Sequence, residues 1–596
     1  MAFQYDRTTF NVLSIEKVNK MKKVILFLSV GIFVPILFLS SAFATNTTAN
    51  LDNISSDNSI LENGDGVHFD LKLSKTLNTD TILTLSFSPS TAQATTDFKL
   101  RYQESYDDIP INQNNEAFVT IPAGKLSVRI TVYTVHDCLD EELEYINMQI
   151  NTVTNNIILG QNISASIAIE DNTYDDSFYY ASTDGIHGND GSCSHPFTLD
   201  EGLYYLREAK NTHPEKTTLI IRDGTYRDVN SLFVLRSGTA ENPIVIRAEY
   251  PGNVFFLGQR TDAERDGSTD YGLMIQEASH VIIKDISFIN YGVGVKIYNS
   301  GGTNLSPTSN ITIENCSFTD NGHAGINIIR SSNVNIKNSF FMGSIPAENS
   351  LDSNGNLCDS LCAIQDYGVA VYDSNNTSIL DNMFIGRHHQ VVSFKEGDTN
   401  GLVERNIFVG ALYTAIFLGQ NYINGSPASS NLTARYNIVM DTEDFPVKSP
   451  LRIDNVENAT VEYNYFEDFD YSNNLSAIYI LSRATGNINI NNNILAFSQN
   501  NAHSGGFEIE NRYGCPPMGT NININDNVLY KVHHVLTENE CSNQAILTNN
   551  QAYKLFINAP FVDELSDPVE QNPSVSEYEN LYQLLSQPIL DYAAGQ

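Results

Sequence analysis

Tryptophan is absent from this chain of 596 residues, and basic residues are scarce. There are 34 lysines and arginines against 70 aspartates and glutamates, which gives a formal net charge of -36. Such a charge would repel phosphates and argues against a nucleic-acid partner. The chain has 30 tyrosines, so any aromatic platform for a sugar has to be built from tyrosine rather than tryptophan.

No CxxC pair occurs among the 7 cysteines, which disfavours a cysteine-based metal site. In an exported chain, disulfides are permissible. Cys358 and Cys362 could close a local loop, and Cys515 and Cys541 could be stacked neighbours in the repeat array described below. The other three cysteines have no obvious partner in the sequence: Cys138, Cys193 and Cys316.

The N-terminus has the pattern of an export signal. Met21-Lys22-Lys23 is a basic region, residues 24–39 are apolar, and Ala42 and Ala44 form an A-x-A cleavage site. We therefore interpret residues 1–44 as an extension and signal peptide. The mature protein is expected to be secreted, periplasmic or on the cell surface, without membrane association after cleavage. The alternative is an uncleaved anchor, although the apolar run is short for a span.

Residues 45–173 alternate apolar and polar side chains, as in "SVRITVYTV" (127–135). This period of two predicts half-buried strands in an all-β sandwich. Acidic residues cluster in the same region, for example in "DCLDEELE" (137–144). Carboxylates at strand ends repel one another unless they are solvated or bridged by a hard cation such as Ca²⁺.

Several of these segments together resemble a Calx-beta domain: "LENGDGVHFDLKLS", "VTIPAGKLSVRITV", "DCLDEELEY" and "ASIAIEDN". The resemblance implies a seven-stranded immunoglobulin-like sandwich that binds Ca²⁺ at one end. An acidic sandwich without metal is the alternative. By position, the resemblance implies six calcium ligands: Glu62, Asp97, Asp137, Glu141, Glu144 and Asp171.

A single amphipathic helix is predicted at 197–211, with its leucines on one face and Thr198 as the N-cap. The preceding "YYASTDGIHGNDGS" is similar to the N-terminal cap of the pectate-lyase-like right-handed β-helices. This resemblance implies that the helix covers the open end of a stack of strands.

Short segments with similar endings then recur, as in "VIIKDISF", "ITIENCSF" and "ININNNIL". An asparagine two residues before the final apolar position repeats every 24 to 34 residues, which indicates one supersecondary unit per repeat. We expect these asparagines to adopt the left-handed conformation in a tight turn and to stack as a ladder. They are Asn382, Asn406, Asn437, Asn464, Asn493 and Asn527. The prediction is a right-handed parallel β-helix over 177–560, closed by a cap over 561–596.

A third strand per repeat supplies residues on the outer face, since its apolar partners point inward. Two outward columns are predicted from successive repeats. The first contains Asn327, Ala370, Ser393, Phe417, Arg452, Tyr479 and Glu508. The second contains Ile329, Tyr372, Lys395, Gly419, Asp454, Leu481 and Glu510. Gly419 is expected to leave a gap beside Lys395, and Asp454 to lie two repeats away.

The segment "VVSFKEGDTNGLVERNIF" is similar to the lysine-bearing repeat of the alginate and chondroitin lyases of this fold. The resemblance implies β-elimination with a lysine as base and an arginine one repeat later as acid. That arginine is missing from "AIFLGQN" (415–421), and Arg452 is the substitute. We predict that Lys395 is the base, that Arg452 neutralises a uronate, and that Tyr479 or His389 assists proton transfer.

The predicted function is therefore cleavage of an acidic polysaccharide by a monomeric lyase, with Ca²⁺ as a cofactor of the sandwich. Asp454, Glu508 and Glu510 could hold a further Ca²⁺ in the β-helix. A non-catalytic surface or adhesion protein is one alternative. A glycoside hydrolase or epimerase is the other, although no convincing pair of carboxylates is found on this face.

Overall fold

A computed structural model describes residues 47–553 except for short internal segments, and these residues form two compact units, 47–170 and 178–553. The signal peptide and the C-terminal cap predicted above lie outside the described residues. Within them, no helix has the length and apolar character needed to cross a membrane. The internal segments left undescribed are 54–58, 63–65, 89, 104–107, 136–141, 155–156, 171–177, 228–231, 260–269, 302–306, 344–364, 421–426, 441–446, 448, 468–475, 482, 497–504, 511–515, 518, 531–533 and 539–544.

The first unit is a β-sandwich, as its alternating sequence predicts. Alternate residues of its strands are buried, and they form a single apolar core between the two sheets. The described residues contain eleven strands rather than seven, partly because three of them are only two or three residues long. The six-stranded sheet has the order β10 (Ile158–Leu159), β1 (Thr48–Asn53), β3 (Val67–Leu73), β8 (Ser127–Thr134), β5 (Phe98–Tyr102) and β6 (Asp108–Ile109). The five-stranded sheet has the order β2 (Ser59–Leu61), β11 (Ser164–Glu170), β9 (Glu144–Val153), β4 (Thr81–Ser86) and β7 (Glu116–Ile121).

The second unit is a right-handed parallel β-helix, which confirms the predicted fold class. Three parallel sheets run along its axis, and each turn of chain, called a rung here, contributes one strand to each sheet. Sheet 1 contains β12 (Phe178–Ala181), β13 (Thr218–Ile221), β16 (Ile244–Ala248), β19 (Ser279–Lys284), β22 (Ser309–Glu314), β25 (Ser332–Lys337), β28 (Asn375–Leu380), β31 (Leu402–Glu404), β34 (Ser429–Arg435), β37 (Val456–Glu462), β40 (Thr485–Asn491), β43 (Asn521–Asn525) and β46 (Ala545–Thr548). Sheet 2 contains β14 (Gly224–Arg227), β17 (Val254–Leu257), β20 (Ile286–Ile289), β23 (Ser317–Thr319), β26 (Phe340–Gly343), β29 (Met383–Gly386), β32 (Ile407–Val409), β35 (Ile438–Met440), β38 (Tyr465–Glu467), β41 (Ile494–Ala496), β44 (Val528–Tyr530) and β47 (Gln551–Tyr553). Sheet 3 contains β15 (Leu232–Val234), β18 (Tyr271–Gln276), β21 (Val293–Tyr298), β24 (Ala324–Ile329), β27 (Gln365–Tyr372), β30 (His388–Lys395), β33 (Thr414–Gln420), β36 (Leu451–Ile453), β39 (Ser476–Leu481), β42 (Gly505–Glu510) and β45 (His534–Glu538).

The predicted helix is present as α1 (Leu199–Thr212), and it contacts the first strands of the stack. Leu199, Leu203 and Leu206 are buried on one face, in the same apolar cluster as the strands of the β-helix interior. Thr198 occupies the N-cap position, but its hydroxyl makes no capping hydrogen bond, so the expected side-chain cap is absent.

Identical side chains stack along the interior, because parallel strands in register place equivalent residues one above the other. The clearest case is a column of phenylalanines in sheet 2, whose successive ring centroids lie 4.5 to 5.3 Å apart. Its members are Phe256, Phe288, Phe318, Phe341, Phe384 and Phe408. Each ring contacts the one before it, so packing fixes the register of these six rungs.

The asparagines predicted to stack do form a buried ladder, which continues to Asn550. Each amide donates to a carbonyl oxygen of the preceding rung and to the side chain of the next asparagine. The expected left-handed conformation is wrong for these residues. It belongs instead to the residue before each of them, such as Tyr436 (φ 55°) before Asn437. The residue before each asparagine therefore adopts the left-handed conformation, whereas the asparagine is required because its amide both donates and accepts hydrogen bonds.

Candidate functional site

Sheet 3 carries the residues predicted to do chemistry on its outer face. The strand registers confirm the first column, from Asn327 through Ser393 and Arg452 to Glu508. Tyr367 and Ala370 pack in a small cluster separate from the interior core, so this face points away from the lumen. Most of its residues are nevertheless buried rather than open to solvent, which the sequence did not indicate.

The second column is interrupted after Lys395. The pairing of β30 with β33 shifts by one residue between Ser393 and Lys395, so Lys395 lies opposite Gln420 rather than Gly419. Gly419 has a φ of 84°, and a Cβ there would lie 2.0 Å from the carbonyl oxygen of Asp454. The expected gap beside Lys395 is therefore wrong, because the glycine accommodates a bulge against the next strand.

Lys395 is held by tyrosines of the preceding rung and is 0% exposed. Its Nζ lies 3.8 Å from the centre of the Tyr367 ring and donates to the Tyr372 hydroxyl at 3.2 Å. Burial lowers the pKa of Lys395 to about 7. Glu396, Asp366 and Asp398 oppose that shift in pKa, but desolvation is the larger effect.

A tight turn fixes the backbone that follows Lys395. Glu396 and Gly397 both have positive φ, and the buried Asp398 carboxylate accepts from the backbone N–H of Lys395 at 2.5 Å. The same carboxylate accepts from the N–H of Ser374 at 2.8 Å, and burial raises the pKa of Asp398 well above its usual range. We therefore assign Asp398 to positioning the strand end.

Arg452 lies two rungs further along, between two tyrosines. Its guanidinium carbon is 4.2 Å from the ring centre of Tyr413 and 4.7 Å from that of Tyr479, and Nη1 donates to the Tyr413 hydroxyl at 2.7 Å. Its buried Nε has no hydrogen-bond partner. His389 stacks on Tyr413, with the two ring centres 5.1 Å apart. Tyr413 thus links His389 to Arg452, and Arg452 in turn contacts Tyr479.

The two basic residues are not in contact. Lys395 and Arg452 lie on strands two rungs apart, or roughly 9.6 Å along the axis. Lys395 contacts tyrosines of the rung before its own, whereas Arg452 lies between Tyr413 of the rung before and Tyr479 of the rung after. Asp454 is paired with Arg483 and is not a partner of Lys395.

Two other polar groups nearby have simpler roles. His388 is fully buried, and burial lowers its pKa to about 4, so the ring is neutral at ordinary pH. Glu508 accepts from the Ser476 hydroxyl at 3.1 Å. Within the described residues no group of three or more histidines, cysteines or acids is arranged to hold a metal ion, which does not support a calcium site around Asp454.

The predicted calcium ligands are only partly described, since Asp137, Glu141 and Asp171 lie outside the described residues. Glu62 follows β2, Glu144 begins β9, and both strands pair with β11. Asp97 precedes β5, where its carboxylate accepts from the backbone N–H of Gln93 at 2.5 Å. Pairing with β11 brings Glu62 and Glu144 to one end of the five-stranded sheet, and the described positions alone form no metal cluster.

The cysteines differ from expectation at one position. Cys193 is disulfide-bonded, although the sequence indicated no partner for it. Cys316 is a free, fully buried thiol whose pKa is raised by burial. The pairs expected at Cys358 with Cys362 and at Cys515 with Cys541 lie outside the described residues.

The tyrosines that hold the two cations were not predicted from the sequence. Tyr367 is the third residue of β27 and Tyr413 immediately precedes β33, outside the column positions that the alternation predicts. Tyr372 was in the predicted column, but nothing indicated that its hydroxyl would bond to Lys395. Their signal in the sequence is a tyrosine near the start of two rungs that flank the Lys395 rung, in "QDYGVAVY" and "GALYTAIF".

Two family models match segments of the β-helix. Right handed beta helix region matches residues 271–449, which include Lys395, and Chondroitinase B matches residues 205–268. Pectate lyase PEL9 of Emericella nidulans is 32% identical over 113 residues, which are 18% of this chain and 28% of that protein. This match thus spans little more than a quarter of the curated relative's length.

Solved structures give weaker likenesses. An alginate lyase from Paenibacillus sp. str. FPU-7 is 16% identical, with a TM-score of 0.36 over 51% of this chain and 96% of that one. The apo-form Calx CBD1 domain is 16% identical, with a TM-score of 0.17 over 21% of this chain and 98% of that one. TM-scores this low support no functional conclusion, and they leave the Calx-beta resemblance a prediction.

Proposed function

We propose that the β-helix is an exported polysaccharide lyase that cleaves a uronate-containing polymer by β-elimination. The observation that carries the proposal is the buried Lys395, whose pKa of about 7 leaves a substantial neutral fraction near pH 7. A lysine with an ordinary pKa would be almost entirely protonated and unable to accept a proton. The segment matches to Chondroitinase B and to a pectate lyase support this reaction class over the alternatives.

In this reaction, the Lys395 amine removes the proton on the carbon next to the uronate carboxylate. The electron pair left behind forms a carbon–carbon double bond as the glycosidic carbon–oxygen bond breaks, and the leaving oxygen takes up a proton. Arg452 neutralises the carboxylate, which makes the first proton more acidic. Its unpartnered Nε supports this role, since that donor is available to an oxygen ligand.

The proton for the leaving oxygen has two sources in this proposal. The Tyr372 hydroxyl is 3.2 Å from Lys395 Nζ and can pass on the proton that the lysine has taken. Tyr479 instead contacts Arg452, and His389 stacks on Tyr413 beside it, so either serves a leaving oxygen on that side. Because Lys395 is buried, polymer binding requires Tyr367 or Tyr372 to move aside.

The test is a panel of polygalacturonate, alginate and chondroitin, followed by the ultraviolet absorbance of the unsaturated product. We expect a rise on at least one polymer with the wild-type chain and none with Lys395→Met. Lys337→Met is the matched control, because Lys337 lies on sheet 1 and is paired with Glu314 at 3.0 Å. Full activity in Lys395→Met would refute the site, and no rise on any polymer would favour a non-catalytic surface protein.

We also propose that the sandwich binds Ca²⁺ through the acids at one end, including Glu62, Asp97 and Glu144. The support is that pairing with β11 brings Glu62 and Glu144 to the same end of their sheet. The loop before Asp97 also reaches this end, because the backbone N–H groups of Thr91 and Ala92 donate to the carbonyl oxygen of Tyr145. Binding to the native state alone raises the unfolding temperature in proportion to the logarithm of free Ca²⁺. Identical thermal melts of the full chain in Ca²⁺ and in EDTA would exclude the site.

A further inference from the structure

The outer face of sheet 3 carries a second group of cations and aromatic rings, nearer the N-terminal end of the stack. Lys296 Nζ lies 5.7 Å from the ring centre of Tyr271 and 5.4 Å from that of Tyr298. The guanidinium carbon of Arg330 lies 5.2 Å from the ring centre of Tyr298. Phe233, which is 41% exposed, packs edge-on against Tyr271 at 5.9 Å.

These cations contact rings rather than carboxylates. Neither Lys296 nor Arg330 makes an ion pair within the described part of the chain, whereas Lys337 and Arg435 on sheet 1 do. In a chain with 70 acids and 34 lysines and arginines, this difference leaves these two cations available to an anion. The nearby Glu277 carboxylate is engaged by the Ser300 hydroxyl at 2.6 Å.

Strand register places this group on the same track as the proposed site. Lys296 pairs with Asn327, Asn327 with Ala370, and Ala370 with Ser393, whose strand ends at Lys395. Lys296 is therefore three rungs from the strand of the lysine base, or roughly 14 Å along the axis. A polymer lying parallel to the axis would contact both groups, and a single sugar would not.

Asn327 provides a separate indication that a polar ligand lies on this track. It is 4% exposed, and its buried Oδ1 has no hydrogen-bond partner. An unsatisfied buried acceptor costs roughly 1–3 kcal/mol, so it calls for a donor such as a sugar hydroxyl or a water. Its place between Lys296 and the Lys395 rung connects the two groups.

We propose that Lys296, Arg330, Tyr271 and Tyr298 form a distal subsite that binds an acidic sugar unit of a polymer extended along sheet 3. The inference rests on the proposed function for the kind of polymer, but it concerns binding rather than cleavage. The cations contact the uronate carboxylate, the rings stack on the apolar faces of the sugar, and Asn327 accepts a hydroxyl hydrogen bond. Tyrosines take the place of the tryptophans that this chain lacks.

The experiment compares the full chain with Lys296→Met and Arg330→Gln. Retardation in native gels containing each uronate polymer measures binding, and product absorbance on graded oligosaccharides measures cleavage. Each variant is expected to weaken binding of long polymer about tenfold, while the shortest cleaved oligosaccharides react at the wild-type rate. Arg330 is exposed, so Arg330→Gln keeps the test informative if Lys296→Met fails to fold. Lys337→Met is the charge-matched control on sheet 1.

The outcomes separate this subsite from the proposed reaction. Wild-type retardation on a polymer that gives no absorbance, with loss of retardation in Lys296→Met, would support the subsite and contradict the lyase. Cleavage with unchanged retardation in both variants would support the lyase and overturn the subsite. Equal weakening in Lys337→Met would also overturn it, since the effect would then come from overall charge. No retardation of the wild-type chain by any polymer would overturn it as well.

Discussion

The ammonium group of Lys395 lies 3.8 Å from the centre of the Tyr367 ring, one rung before it. This contact removes water from the charge and replaces it with a ring face and the Tyr372 hydroxyl. The ring attracts the cation by no more than a few kcal/mol, whereas full hydration of an ammonium is far stronger. The result is a lysine whose proton is weakly held, on a face where other cations are also paired with tyrosines.

The rate of the proposed elimination should rise with pH through about 7. Because burial lowers the pKa of Lys395 to about 7, the neutral fraction that can accept a proton increases about tenfold between pH 6 and pH 8. The measurement is kcat/KM from product absorbance over that range on whichever polymer is cleaved. A rate that falls with pH across this window would assign the base to another group.

Lys395→Met should stabilise the protein more at pH 6 than at pH 9. The folded pKa of about 7 lies below the unfolded value of about 10.4, so the unfolded chain binds more protons between these values. Wild-type stability therefore rises with pH across this window, and below pH 7 the full cost of burying the ammonium is present. The difference in unfolding free energy between variant and wild type should shrink by roughly 2–3 kcal/mol from pH 6 to pH 9. Urea titrations of both proteins at the two pH values test this, and parallel pH dependences would contradict it.

Arg452→Met should lower kcat about a hundredfold or more, because the arginine is proposed to stabilise charge that develops on the uronate. Arg452→Lys should recover part of this loss, since it restores the charge without the planar contacts to Tyr413 and Tyr479. Steady-state kinetics on the cleaved polymer separate kcat from KM. A change in KM alone would make Arg452 a binding residue rather than a group that acts in the transition state.

The sequence predicted the first column of sheet 3 and the second as far as Lys395, because parallel strands repeat the same alternation and one rung sets the register of the next. Lys395, Arg452 and Tyr479 stand where the alternation puts them. Their surroundings were not predictable in this way. The opposition of Lys395 and Gln420 depends on a one-residue bulge, and the burial of Lys395 depends on Tyr367, which belongs to a different rung.

The asparagine ladder shows the same division. Its spacing could be predicted because each rung repeats the asparagine. Its backbone conformation could not, because the preference of asparagine for the αL region applies to a single turn residue and not to a buried column. The left-handed position is filled partly by residue types that favour it, Asp381, Asn492, Asp526 and Asn549, but also by Arg405, Tyr436 and Tyr463, which do not. Hydrogen bonding between rungs therefore selects asparagine at the ladder position, whereas the residue before it only has to tolerate the left-handed conformation.

Asn437→Ala should destabilise the β-helix by roughly 3 kcal/mol or more. The Asn437 amide donates to the carbonyl oxygen of Val403 at 2.9 Å and to the Asn464 side chain at 2.9 Å, and its own oxygen accepts from the backbone N–H of Asn406 at 3.0 Å. Alanine leaves these buried groups unsatisfied, at about 1–3 kcal/mol each.

Asn431→Ala is the matched control for this prediction. Asn431 belongs to an exposed row of asparagines, donates to Asn400 at 3.3 Å and has a φ of 54°. Water replaces its lost hydrogen bond, so only the left-handed backbone cost of roughly 1–2 kcal/mol remains. Urea unfolding of the full chain, followed by hydrogen exchange of the flanking strands, measures both variants. In Asn437→Ala, the increase in hydrogen exchange should be confined to amides of the strands on either side of it, because each rung contacts only its neighbours. Equal losses of unfolding free energy in the two variants would mean that stacking of the rungs does not depend on the buried ladder.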